Sequence, residues 1–567
     1  MAIKSSNPSA NERRTAEFHP TVWGDFFLAR VFSDRETVNG WIAGIEALKG
    51  EVKAMMSAPA PTTTEKLSEK QLHLIDVVER LGIGYHFEAE IDEQLRQVYN
   101  GMMNRRLSPY DDEDQLFTTA LRFRLLRQHR YNVSSDIFNR FKNEEGRFDE
   151  KLENDVQGMM SLYEAAYLQM PGETILEEAM EFAEGHLTKY TMADGGDDRY
   201  DDLLSKRIAH MLKRPLRKGV EKHEQLFFIW AYEQEKGHNQ TLLKLAKLSW
   251  NHLQHLYQQE LRSLTKWWID LDFVTKLPFA RDRLIEIYFW AVGAMWEPKF
   301  TLSRYIVTKL TMLVSVIDDM YDVHGTIEEL ELFTSAIERW DTSMKDLPDY
   351  MRTCYDAIID VLDEVDAITT KEGRPYCLEY AKEAHKNQVR AYLAEARWFA
   401  QGKVPTVEEY RRVGVYSCAY PSLACSALCG MGEKAPKEAF DWLFSEPKIL
   451  VAISDHCRIM DDIVSHEFEQ KRGHVASVVE CYMKQYDVPR DEAVVALNKI
   501  VEHDWKEINK ETFNQPGFVS NEVMSMLVGL AKVMEVLYKD FDSYTFSETV
   551  TKDMMTALLV TPMVLEA

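Results

Sequence analysis

Apolar residues return every third or fourth position through nearly every long segment of this chain, while alternation at every second position is rare. This pattern restricts the fold more than any other feature. A period near 3.6 puts a continuous apolar face only on an α-helix. In LLKLAKLSWNHLQHLYQQEL, residues Leu242, Leu245, Ala246, Leu253, Leu256 and Tyr257 fall on one stripe. The breaks between stripes hold glycine, proline and small polar residues: APAPTTT at 58–64, MADGGDD at 192–198, KEGRP at 371–375 and NQPGF at 514–518. No repeat of fixed length recurs, which speaks against a solenoid. The expected fold is all-α.

The 567 residues suffice for two or more cores. The polar stretch KGHNQT at 236–241 precedes a long periodic helix and marks a boundary, giving domains at 1–240 and 241–567. Hydrophobic residues make up 45%, which excludes general disorder. The net charge of -25 argues against nucleic acid or anionic membranes as partners. No apolar run reaches the roughly 18 residues of a membrane span. All seven cysteines follow Cys354 or are that residue, none forms C-x-x-C, and a reducing compartment without disulfides is expected. The N-terminus has no apolar signal core, and few residues precede the arginines at 13 and 14, so a cytoplasmic location is expected.

Within this acidic chain some carboxylates are grouped. Asp197, Asp198 and Asp201 follow two glycines and read as a solvated loop or an acidic helix start. Asp318, Asp319 and Asp322 differ, because they end the apolar run YIVTKLTMLVSVI. Asp318 and Asp322 are four apart and share a helix face. Gly325 is the expected helix C-cap. Carboxylates at the mouth of an apolar helix repel each other and resist desolvation, and a hard divalent cation resolves both problems. The alternative is an exposed acidic helix end. A second apolar stretch, KILVAI, leads to RIMDDIVSHEFEQKRG, where Asp461, Ser465 and Glu469 stack oxygen ligands at i, i+4 and i+8. Arg458, Lys471 and Arg472 flank them, so metal ions and cations together would clamp an anion such as diphosphate.

With these residues in view, the chain resembles the plant class I terpene synthases, above all the angiosperm sesquiterpene cyclases. The resemblance runs from Arg13 to the C-terminus. RRTAEFHPTVW, with Arg13, Arg14 and Trp23, matches the family's R-R-x₈-W element. ARDRLIEIYFW matches its R-x-R element, with Arg281 and Arg283, followed by the active-site tryptophan, here Trp290. DDMYD matches the first metal motif, and Asp461, Ser465 and Glu469 the second. VLYKDFDSYTF matches the segment that closes the pocket, with Tyr538, Asp542 and Tyr544. Met320 stands where threonine is more usual, and the 538–544 loop is one residue shorter than in some relatives. VYSCAYPS at 415–422 lies where a family helix breaks into the cavity, which puts Ser417, Cys418 and Ala419 on its wall and gives Pro421 the break.

The resemblance implies a C-terminal class I terpenoid synthase bundle and an N-terminal relic α-barrel whose arm caps the site. The chain lacks the D-x-D-D proton donor of the other cyclase class; DDED at 111–114 does not fit. The implied reaction is ionisation of farnesyl diphosphate and cyclisation of the cation. Asp318 and Asp322 would hold two Mg²⁺ ions and Asp461, Ser465 and Glu469 a third, with Mn²⁺ as a substitute. Arg281, Arg283, Arg458 and Lys471 would bind diphosphate, with Asp319 and Asp462 in the same set and Asp319 orienting a basic residue. Trp290 and Tyr544 would face the cation, with Tyr288 and Phe289 as further aromatic candidates. Asp542 with Tyr538 or Tyr544 would handle a late proton. A monomer is implied.

Rival readings remain at this level. A chain-elongating prenyltransferase carries two D-D-x-x-D motifs and is about half as long. A monoterpene or diterpene synthase of the same fold is a second rival. An acidic helical scaffold leaves the convergence of RDR, DDMYD and DDIVSHEFE unexplained. Zinc hydrolysis lacks the second histidine of H-E-x-x-H.

Overall fold

The computed structural model describes residues 13, 16, 18–57, 64–104, 115–193, 202–340 and 346–565. Asp197, Asp198, Asp201, Arg14 and the DDED stretch lie outside them. Among the described residues every regular element is a helix, and the one strand-like feature is an isolated bridge between Lys142 and Phe148.

The buried residues form two cores. The helix Gln240–Leu271 runs through both. Asn239 caps it, its side chain accepting from the N–H groups of Thr241 and Leu242. Leu242, Leu243, Leu245, Ala246 and Leu248 belong to the N-terminal core, and Trp250, Leu253 and Tyr257 to the C-terminal one. Trp23 and Phe27, although near the N-terminus, pack into the C-terminal core.

The apolar run ahead of the aspartates is the helix Thr301–Asp319, packed against Leu284–Ala294, Asp349–Lys371 and Tyr420–Cys429. By length and composition the segment Pro298–His324 suits a membrane span, contrary to the expectation from the sequence. It is 78% buried inside the protein, and its apolar surface is core. A buried network anchors its start. Arg304 donates to Glu260 on the long helix at 2.6 and 2.9 Å, and to the carbonyls of Met295 and Glu297 at 2.7 Å. Tyr288 donates to the same Glu260 at 2.7 Å.

The far end of this helix widens into a π-turn, Met320–His324. Gly325 closes it, donating to the Met320 carbonyl at 2.8 Å. Gly325 is thus the cap that the sequence suggested, with an extended rather than left-handed backbone. Glycine is required there for space, since a Cβ would stand 2.6 Å from Leu330 Cδ2 and 3.1 Å from the Met320 oxygen. The stretch VYSCAYPS breaks as its proline suggested. The helix Val407–Ser417 ends, Ala419 takes a left-handed φ of 68°, and Tyr420–Cys429 restarts with proline in its first turn. The second acidic motif lies on Lys448–Arg472, and Asn521–Leu537 packs beside it.

Replacing Arg304 by methionine leaves Glu260 buried and unpaired. The expected loss is ~3–5 kcal/mol of stability, read as a lower urea midpoint with little change in its slope.

Candidate active site

The C-terminal bundle encloses a cavity of about 140 Å³. Asp318 and Asp322 reach it from the aspartate helix and its widened turn; Asp461, Ser465 and Glu469 reach it from Lys448–Arg472. The two ridges face each other across the width of one imidazole. His474 makes a 2.8 Å contact with Asp322 through Nε2 and lies 3.5 Å from Glu469 through Nδ1.

The electrostatics are those of crowded carboxylates. Burial, with the Asp322 charge beside it, pushes Asp318 up to about 7. Burial raises Asp461 well above the carboxylate range, with Glu469 adding to the effect. Asp322 goes the other way: burial pushes it up, but His474, Arg472 and Arg281 together outweigh that. Burial works against the His474 charge, yet Glu469 and Asp322 lift that group to about 10. Ser465 Oγ is buried without a hydrogen-bond partner. Four repelling carboxylates and an orphan hydroxyl are a donor set of hard oxygens, which fits divalent cations such as Mg²⁺.

Cations stand beside both ridges. Arg281 donates its backbone N–H to Asp319 at 2.7 Å and its guanidinium to Asp318 at 2.7 Å and Thr545 at 3.3 Å. Its Nε lies 2.9 Å from Asp319. Asp319 thus points away from the cavity and fixes Arg281, as expected for a residue about 100° round the helix from Asp318. Arg458 lies 3.4 Å from both Asp461 and Asp462. Asp462 is behind the wall, accepting from the Val478 N–H at 2.7 Å.

Four members of the expected diphosphate set sit off the cavity: Asp319 and Asp462, as just described, and Lys471 and Arg283. Lys471 is exposed and off the cavity, because two residues past Glu469 is the opposite helix face; Arg472 lines the cavity instead. Arg283 is buried and donates to the carbonyls of His19, Tyr544 and Thr545 at 2.8–3.1 Å. It clamps the N-terminal arm to the C-terminal loop and does not face the cavity.

Below the carboxylates lies an aromatic cluster. Trp290 contacts Tyr420, Tyr538 and Tyr544 with ring centroids 6.1, 5.9 and 6.0 Å away. Its indole N–H donates to Tyr420 Oη at 3.2 Å, which donates to the Leu530 carbonyl at 2.7 Å. Tyr544 Oη lies 2.6 Å from Ser315 Oγ, three residues before Asp318 on the aspartate helix, so the cluster sits roughly 4–5 Å deeper at 1.5 Å per residue. Ser417, Cys418 and Ala419 from the helix break also line the wall. Tyr288 and Phe289 do not line it; both are core, and Tyr288 belongs to the Glu260 network. Asp542 lines the cavity and accepts the N–H groups of Tyr544 and Thr545 at 3.1 and 2.9 Å, so it also shapes its own turn.

The N-terminal arm closes over this end. Arg13 donates to Glu329 at 2.7 and 2.8 Å, and Phe18 lines the cavity, with Arg281 4.7 Å and Arg472 5.8 Å from its ring centroid. Phe18, Tyr392, Glu395 and Tyr410 escaped the sequence reading: Tyr392 and Tyr410 look like ordinary core positions of periodic helices, Glu395 like one of many helix-surface carboxylates, and Phe18 lies in the arm outside any periodic stretch. His474 had a signal, lying just past the second acidic motif after Gly473.

Asp318 at about 7, against an ordinary 3.8, binds its proton more tightly in the fold. Without metal, this group therefore makes stability fall as pH rises through 7. Metal displaces the proton, so apparent Mg²⁺ affinity is expected to weaken as pH falls, and Mg²⁺ should raise Tm more at about pH 8 than at about pH 6.

The comparisons with known proteins agree with this geometry. The profile of the terpene synthase family, metal binding domain, matches residues 269–507, and that of the terpene synthase N-terminal domain matches 22–212. The chain is 44% identical to sesquiterpene synthase 2 of Toona sinensis, over 97% of this chain and 96% of that one. A limonene synthase with 2-fluorolinalyl diphosphate superposes with a TM-score of 0.90 at 32% identity, covering 98% and 100% of the two chains. The isoprene synthase of grey poplar, Populus x canescens, in complex with three Mg²⁺ ions and dimethylallyl-S-thiolodiphosphate, gives 0.84 at 33%, covering 96% and 99%. An all-helical pair of domains, a divalent-metal donor set and a full-length likeness together place this chain in the terpene synthase family, enzymes that act as lyases on prenyl diphosphates.

Proposed function

We propose that the chain is a sesquiterpene synthase. It ionises farnesyl diphosphate, releases diphosphate and closes the fifteen-carbon cation to a hydrocarbon or alcohol. The observation that carries this reading is the split character of one cavity, with carboxylate and guanidinium groups at one end and indole and phenol faces below. Mg²⁺ held by Asp318 and Asp322, and by Asp461, Ser465 and Glu469, would supply Lewis acidity to the diphosphate oxygens.

The chain's own residues do the rest. Arg281, Arg458 and Arg472 bind the diphosphate and keep its charge at the polar end, away from the carbocation. Asp319 holds Arg281 in place for that task. The faces of Trp290, Tyr538 and Tyr544 stabilise positive charge without reacting as nucleophiles, at ~2 kcal/mol each when desolvated. Phe18 and the arm behind it keep water from the cation. The Asp542 carboxylate, with Tyr544 beside it, takes the proton that ends the cascade, from the cation for a hydrocarbon or from the one water that captures it for an alcohol.

The full-length identity to a protein named a sesquiterpene synthase supports the fifteen-carbon substrate. The likeness to a limonene synthase favours a second reading, a monoterpene synthase.

The test is to incubate the full chain separately with geranyl, farnesyl and geranylgeranyl diphosphate, with Mg²⁺ or EDTA, and to analyse a solvent overlay by gas chromatography–mass spectrometry. Mg²⁺-dependent fifteen-carbon products from farnesyl diphosphate are expected; efficient turnover of geranyl diphosphate alone would replace this reading with the second. Trp290→Leu is expected to lower kcat about tenfold or more, the equivalent of at least ~1.4 kcal/mol, with a smaller change in KM because diphosphate binding is untouched.

A further inference from the structure

The two halves of the chain enclose a second cavity, of about 750 Å³, that shares no lining residue with the first. Its wall is highly charged, and most charges are matched. Glu221 meets Lys532 at 2.5 Å, Glu522 meets Lys434 at 2.9 Å, and Lys299 meets Glu88 and Glu297 at 2.7 and 2.8 Å.

Three lining cations are not matched. Among the described residues, Arg130, Arg217 and Lys222 have no carboxylate at ion-pairing distance. Arg130 donates only to neutral oxygens across the domain joint: Gln515 Oε1 at 2.8 Å, Asn521 Oδ1, the Asn521 carbonyl at 3.0 Å and Ser525 Oγ at 3.2 Å. Arg217 donates its Nε to Asn509 Oδ1 at 2.9 Å, and no described group accepts from its terminal amino groups. Lys222 is 1% exposed, donates to Gln225 Oε1, and lies 4.4 and 5.2 Å from the ring centroids of Trp250 and Trp296.

The cost of this arrangement is visible in each group. Burial brings Arg130 and Arg217 down to about 10, although Glu522 and Glu221, beyond ion-pairing distance, favour the two charges and offset part of it; Arg130 opposes the Arg217 charge, and burial drives Lys222 well below its ordinary value. Arg130 also sits at φ 66°, a left-handed conformation that is unfavourable for a residue with a side chain. Neutral acceptors satisfy the N–H groups of an arginine but leave its charge without a contact partner; an oxyanion does both.

We propose that this interdomain cavity is a binding site for a small phosphate-type oxyanion, inorganic phosphate or diphosphate, held by Arg130, Arg217 and Lys222. The unengaged edge of Arg217 provides the fork for two oxygens, and Lys222 a point charge. All three cations come from the N-terminal half, and Arg130 and Arg217 already reach Asn509, Gln515 and Asn521 on the C-terminal half. Anion binding therefore stiffens the joint between the halves.

The test uses the full chain in EDTA, which removes the divalent ions the active site needs to hold diphosphate. Thermal unfolding and calorimetry are followed with inorganic diphosphate, phosphate or chloride at matched ionic strength. The expected result is saturable binding of a phosphate species with a rise in Tm that chloride does not give. It should persist in Arg281→Gln/Arg472→Gln, which cripples the first cavity, and weaken at least tenfold in Arg217→Gln and in Lys222→Met. Arg217→Lys, which keeps the charge and loses the fork, guards against misfolding and should weaken binding severalfold. Diphosphate binding tighter than phosphate marks the anion released in the reaction as the ligand; equal affinity marks free phosphate. Absence of saturable binding overturns the proposal, as does binding lost in Arg281→Gln/Arg472→Gln but kept in Arg217→Gln.

Discussion

Mutual repulsion among desolvated carboxylates is the constraint on which the rest of this structure depends. Asp318, Asp322, Asp461 and Glu469 converge at one end of a cavity otherwise walled by aromatic and aliphatic groups. Nothing in the apolar core favours such convergence. It holds because helices buried for other reasons carry the carboxylates to one place, and because guanidinium and imidazolium groups sit between them. Arg281 touches Asp318 and Asp319, Arg458 stands near Asp461 and Asp462, and His474 spans Asp322 and Glu469. The stability of the bundle thus underwrites a local arrangement that is itself unfavourable.

Helicity and the two acidic ridges were legible in the sequence, since both rest on spacing along a single helix. The break at 417–420 was legible because Pro421 cannot donate to the preceding turn. What lay out of reach depended on the phase of side chains across different elements. Lys471 and Arg472 are neighbours in sequence, yet only Arg472 faces the cavity. Arg281 and Arg283 share a motif, yet one meets the carboxylates while the other is spent on four carbonyls. Tyr288 and Trp290 read as equivalent aromatics, but Tyr288 turns to Glu260. Phe18 comes to the site from a segment far away along the chain, and no local pattern announces that.

Arg283 also explains how the closing segments work together. A single buried guanidinium binds the carbonyl of His19 from the arm and those of Tyr544 and Thr545 from the C-terminal loop. The arm and the C-terminal loop are therefore fastened to one group, directly behind the R-x-R arginine that meets the aspartates.

The helix Gln240–Leu271 has a consequence for how such a protein can change over evolutionary time. Its first turns are apolar toward the N-terminal core and its later turns toward the C-terminal one. No cut in the chain separates the halves without baring one of those faces to water. A terpene synthase built this way cannot shed its N-terminal half as a detachable accessory; the loss would have to be accompanied by rewriting Leu242, Leu245, Ala246 and Leu248 as surface residues. Beyond the arm that reaches the cavity, the N-terminal half can thus persist because it covers a shared beam.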